Sequence, residues 1–189
     1  VVFGTEIYKN SIRNFYAHIG IPCTQFHGPI EKLFVWPRVQ KFDSKYSVLI
    51  GNIEDPRHFS PILNEVVKID DFPSVEIKRA IIVASAGFGK TTLSHALIHK
   101  LANTQYVPAF ISLLDFSSSG QTVAEYLSAT INRQYSVHIP WDEYCAKGRV
   151  IVFFDGLDEL SPNDSKSVLT NISIFSNRFP EVSWLLTVR

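Results

Sequence analysis

Ala84-Ser-Ala-Gly-Phe-Gly-Lys-Thr-Thr92 decides the fold of this chain. It follows a β-branched run, Ala80-Ile-Ile-Val-Ala84, and leads into apolar positions at Leu93, Ala96, Leu97 and Leu101 with helical spacing. A strand, a glycine-rich turn and a helix in that order form the setting in which a loop wraps phosphate groups. Gly87 and Gly89 permit the tight wrapping, and the unpaired N–H groups of the helix start supply donors along Ala84, Ser85, Ala86, Gly87, Phe88, Gly89, Lys90, Thr91 and Thr92. Lys90 is placed to reach the β- and γ-phosphates, Thr91 to ligate a bridging magnesium ion, and Thr92 to support the helix start. The usual pattern opens on glycine where this chain has Ala84, whose methyl penalises positive φ; the loop is expected to survive the change because Gly89, Lys90 and Thr91 stand in register.

A second stretch completes the site. Val150 to Phe154 form a five-residue apolar strand that delivers Asp155 to the carboxyl edge of a parallel sheet, where ligands of such sheets bind. Asp155 is expected to hold the magnesium ion, directly or through water. An acid ending a buried strand is badly placed unless something positive meets it. Asp158 and Glu159 bring two further carboxylates within a turn, and Asp158 is the one read as polarising an attacking water. Glu159 reads equally as a solvated acid at a helix start. Arg189 closes the last apolar strand, Trp184-Leu-Leu-Thr-Val-Arg189, and is expected at the same edge, in reach of a γ-phosphate; alone it also reads as a surface arginine.

The elements around these motifs alternate. Strands are expected over 80–84, 107–113, 149–154 and 183–188, with helices over 90–102, 122–133, 141–147 and 162–178, which implies an α/β fold with a parallel sheet covered by helices on both faces. Thr122 with Glu125, and Ser161 with Pro162 and Asp164, are helix-start signatures. Residues 1–79 read as a leader and linker, with a helix over Glu6 to His18 closed by Pro22, strand-like runs over 32–39 and 46–50, and a mobile turn-rich loop over 51–61. Residues 80–189 read as the nucleoside triphosphatase core.

Composition narrows the class. With 189 residues and 46% hydrophobic side chains the chain holds enough for a sizeable core. Lysine plus arginine and aspartate plus glutamate number 18 each, so the charge balance indicates no direct nucleic-acid or membrane binding. Two cysteines make no disulfide framework, and neither a signal peptide nor a membrane span is legible, so a cytoplasmic home is expected. Methionine is absent and the last strand ends at its functional tip, so the chain is expected to be a piece of something longer, truncated at the C-terminal end of its core. His95 and His99 lie four apart on one helix face but are read as packing residues rather than metal ligands.

With these motifs in place the chain resembles the NACHT branch of the STAND class of P-loop NTPases, over Leu33 to Arg189. Asp155-Gly-Leu-Asp-Glu159 is the most specific part, because that family carries a small residue after the first acid and a second acid three positions along. Gly87 to Leu93 and Leu186-Thr-Val-Arg189 are similar to its phosphate loop and its sensor strand, and Leu33-Phe-Val-Trp-Pro-Arg38 to a segment that often precedes the domain. Ala84 and Val188 depart from the family's glycine and commoner serine. The resemblance implies ATP or ADP with Mg2+ as cofactors, slow hydrolysis, self-oligomerisation on exchange of ADP for ATP, and effector and sensor domains outside this chain, in innate immunity, cell death or antiviral defence. Two other functions are weighed beside it: a pseudo-ATPase scaffold for protein contacts, and a P-loop small-molecule kinase.

Overall fold

The computed structural model describes residues 2–20, 25, 27–42, 61–74 and 77–189. Its chain divides into two compact units, one of Val1–Phe34 with Pro73–Arg189 and one of Val35–Phe72.

The larger unit is built on a four-stranded parallel sheet. Its strands are β5 (Arg79–Val83), β6 (Val107–Ser112), β7 (Val150–Asp155) and β8 (Ser183–Val188), in the order β5-β8-β7-β6. Val150 to Phe154 are wholly buried at successive positions, so both faces of β7 are covered, as expected of a central strand in an α/β sheet. Helix α3 (Lys90–Leu101) follows β5, α4 (Leu113–Ser119) follows β6, α7 (Trp141–Ala146) precedes β7, and α8 (Pro162–Arg178) links β7 to β8.

Local chemistry sets these boundaries. Ser161 caps α8 by accepting from the Asp164 N–H, and Pro162 fills the first helical position, where no N–H is needed. Val168, Ile172 and Phe175 then recur at spacings of four and three, giving the buried stripe of the helix. Thr122 and Glu125 form a reciprocal capping box at α5 (Val123–Glu125). The helix expected over 122–133 continues from there as a π-helical stretch, Tyr126–Ile131, and a short α6 (Asn132–Gln134).

At its start, α1 (Val2–Phe15) lies four residues earlier than the helix expected from Glu6. It buries Tyr8 and Ile12, with Tyr16 just beyond its end. The Tyr8 hydroxyl donates to the Pro108 carbonyl at 2.8 Å. His99 stands between the Arg13 carbonyl and the Glu31 carboxylate, at 3.0 and 3.1 Å, while the His95 ring lies 4.6 Å from that of Tyr16. Both histidines therefore pack and tether the N-terminal segment, as the sequence suggested. A short antiparallel pair, β1 (His18–Gly20) with β2 (His27–Pro29), and α2 (Ile30–Leu33) complete this unit.

The smaller unit holds an antiparallel pair, β3 (Arg38–Phe42) and β4 (Pro61–Lys68), with a register irregularity between Gln40 and Phe42. The strand-like run expected over 32–39 is thus a helical turn at Ile30–Leu33 followed by a strand that begins only at Arg38. Pro22, the run over 46–50 and residues 51–60 of the expected loop lie outside the described residues; Pro61 opens β4.

Candidate functional site

The site lies at the carboxyl edge of the parallel sheet, where β5, β8 and β7 end side by side. Gly87 and Gly89 have φ of 79° and 74°, the left-handed region that glycine enters without penalty. Ser136 is the non-glycine residue in that region among the described residues, so Ala84 is not there. Alanine in place of glycine at the head of the loop therefore meets no left-handed backbone strain.

Gly89 is also the N-cap of α3 and brings no capping side chain, which leaves the first N–H groups of the helix facing the loop. The Lys90 ammonium lies within the loop and donates to the Ala84 carbonyl at 2.8 Å. Phe88 projects outward, 78% exposed, and Ser85 and Ala86 are exposed as well. Thr92 is half-buried behind Gly89. The loop is tied to the neighbouring strand by the Ala84 N–H, which donates to the Val188 carbonyl at 3.1 Å.

Asp155 is the centre of the polar network. Its Oδ2 accepts from the Thr91 hydroxyl at 2.7 Å and its Oδ1 from the Thr187 hydroxyl at 2.6 Å. Thr187 in turn accepts from the Gly156 N–H at 3.1 Å. The adjacent carboxylate and hydroxyl oxygens of Asp155 and Thr91 are the hard donors that suit Mg2+, which characteristically takes one or two protein ligands and completes its shell with water and phosphate. No cluster of three or more histidine, cysteine or acidic side chains is found among the described residues, so a metal held wholly by protein is not what these residues offer. Asp155 and Thr91 fit the former arrangement.

Thr187 is the site residue that sequence reasoning passed over, since it was read only as part of the strand. Its signal was present: a hydroxyl in the middle of an apolar strand, here fully buried, must find a hydrogen-bond partner.

Beyond β7 the chain turns sharply through Gly156, at φ 88°, into a 3-10 turn over Leu157–Glu159. That turn carries Asp158 inward and Glu159 outward. Asp158 is largely buried, its Oδ2 lies 2.7 Å from Arg189 Nε, and its buried Oδ1 has no hydrogen-bond partner among the described residues. Glu159 is exposed, with its carboxyl group folded back over Gly156, where a methyl would lie 3.2 Å from Cδ. Arg189 leaves the end of β8, between the loop strand and the Asp155 strand, with its side chain 62% exposed. The structure thus gathers Lys90, Thr91, Asp155, Asp158 and Arg189 at one edge and leaves Glu159 on its rim.

The NACHT domain family model matches residues 78–189, more than half of the chain. The chain belongs to the NACHT family. Its fold is accordingly that of a P-loop NTPase, with a nucleotide site of the family's kind at the edge just described. No curated protein shows significant similarity to the chain. Among solved structures 14 chains match. One is PCH-2 from C. elegans, with a TM-score of 0.37 and 21% identity, covering 64% of this chain and 33% of that one. The present chain thus spans about a third of the length of that protein.

Proposed function

We propose that this NACHT domain is the nucleotide-binding part of a cytoplasmic regulatory switch, which holds ADP at rest, exchanges it for ATP, and then assembles with further copies to drive an attached effector in signalling or defence. The observation that supports this reading is the joined pair of contacts at one sheet edge. Asp155 accepts from Thr91 of the loop helix, while the neighbouring acid Asp158 holds Arg189 of the sensor strand. A group arriving at the loop therefore meets residues from three strands at once, which is what a site that distinguishes a triphosphate from a diphosphate requires.

Each residue has a role in this reading. Loop N–H groups of Ser85, Ala86, Gly87 and Gly89 and the Lys90 ammonium bind the phosphates. Thr91 and Asp155 would hold a magnesium ion, which supplies positive charge to the β- and γ-phosphate oxygens. Asp158 orients Arg189 through Oδ2, and in this reading it is the acid that polarises the attacking water in slow hydrolysis. Arg189 reads the γ-phosphate. Ala84, Ser85, Ala86, Phe88 and Thr92 shape the loop without supplying side-chain charge, and Glu159 borders the site as a further acid. Switching demands that ATP and ADP bind the two states of the protein differently, because a ligand with equal affinity for both shifts nothing.

The test is analytical ultracentrifugation of the protein with Mg2+ and either ATP or ADP, beside Arg189→Ala. Assembly in ATP and not in ADP, lost in Arg189→Ala, is the expected result. Assembly indifferent to nucleotide would contradict the switch and support a scaffold.

A further inference from the structure

On the β6 side of Asp155, with β8 and β7 between it and β5, a cavity of about 230 Å³ opens between α1, α3 and the end of β6. One water needs roughly 10–15 Å³ of such space, so the cavity is large enough for a small organic molecule. Half of its lining residues carry aromatic or imidazole rings. Tyr16, His95 and Phe110 pack tilted or edge-on to one another, with ring centroids 4.6 Å apart for Tyr16 and His95 and 5.3 Å for His95 and Phe110. Tyr126 and Tyr135 line the wall beside α4, and exposed Asp115 stands in the first turn of that helix.

The charge in this space is of one sign. Among the described lining residues there is no lysine or arginine, and burial pushes the His95 imidazole below its ordinary pKa, against a smaller upward pull from Asp155. Burial, then the Tyr135 phenol, then Asp155 hold the Tyr16 phenol protonated. Burial and the Asp115 carboxylate do the same at Tyr126. One carboxylate, Asp115, therefore stands at the wall of a space lined by aromatic rings and neutral hydroxyls.

We propose that this cavity binds a small organic monocation with a compact apolar or aromatic body, its ammonium group held among the rings and against Asp115. Ring faces attract a desolvated cation, and a carboxylate at the wall adds a full opposite charge. An anion meets no lysine or arginine among the described lining residues. The site is separate from the phosphate loop and does not depend on the nucleotide reading. It is linked to that site all the same, because His95 lies one helical turn beyond Thr91 on α3 and Ser112 stands in register with Asp155.

The test is a chemical-shift titration of the chain with phenethylammonium and with 2-phenylethanol, which has the same shape and no charge. Saturable shifts at Tyr16, His95 and Phe110, with at least tenfold tighter binding of the cation, are the expected result. Asp115→Asn, at an exposed position, is expected to reduce that preference several-fold. Equal or tighter binding of the alcohol, a preference unchanged in Asp115→Asn, or no shifts at these residues up to tens of millimolar probe would overturn the proposal.

Discussion

The buried Thr187 hydroxyl donates to Asp155 Oδ1 at 2.6 Å and accepts from the Gly156 N–H at 3.1 Å. One side chain of β8 thus fixes both the acid at the end of β7 and the turn that follows it. Thr187→Val keeps the shape and removes the oxygen, leaving a carboxylate oxygen and an N–H without their partner. The expected loss is about 1–3 kcal/mol in urea unfolding, with Thr187→Ser recovering most of it. No loss in Thr187→Val would show that the hydroxyl is not what orients Asp155.

Gly156 is held at φ 88°, and a methyl there would lie 3.2 Å from the Glu159 carboxyl carbon. Gly156→Ala is expected to cost about 1–3 kcal/mol from the left-handed backbone and the close approach together. In a Glu159→Ala background the steric part disappears and the backbone part remains, so thermal unfolding of the double variant should recover only some of the loss.

Arg189 and Asp158 lie 2.7 Å apart, with the arginine 62% exposed and the acid only 13%. Arg189→Ala leaves that largely buried carboxylate without its partner and is expected to cost about 1–3 kcal/mol of unfolding free energy. It should also change the ratio of ATP to ADP affinity, read by competition binding. A large stability loss with an unchanged ratio would make Arg189 a structural residue.

Cys145 is 1% exposed, and burial pushes its thiol up to about 12, with the Asp142 charge adding to the shift. A raised folded-state pKa favours the neutral thiol in the native protein. The resulting stability is complete below the unfolded-state value near 9 and is lost as pH rises from there toward 12. Alkylation at pH 8 is therefore expected to be slow in the native protein and fast in urea, and rapid native labelling would contradict the burial.

Much of this was legible in the sequence, and particular residues show why. The span 162–178 of α8 and the span 183–188 of β8 coincide with their expected limits, because Ser161 and Pro162 mark the one and a mostly apolar run marks the other. α4 was missed: Leu113 to Gly120 ends in three serines, which read as a loop. Ser112 nonetheless caps it and Gly120, at φ 65°, closes it. β4 was missed because Asn64, Glu65 and Lys68 interrupt its apolar residues and Pro61 opens it, so neither a helical nor a strand period stands out. At the site, charged and glycine residues announced themselves by type, whereas Thr187 depends on a partner 32 residues away, which no local pattern records.

The central claim is that Lys90, Thr91 and Asp155 form one site for a magnesium–nucleotide complex, and calorimetry of ATP and ADP binding with Mg2+, beside Lys90→Ala and Asp155→Ala, tests it most directly. The account predicts binding in the parent chain, lost in Lys90→Ala and weakened in Asp155→Ala with its magnesium dependence removed. Absence of binding in the parent, or binding unchanged in both variants, would contradict it.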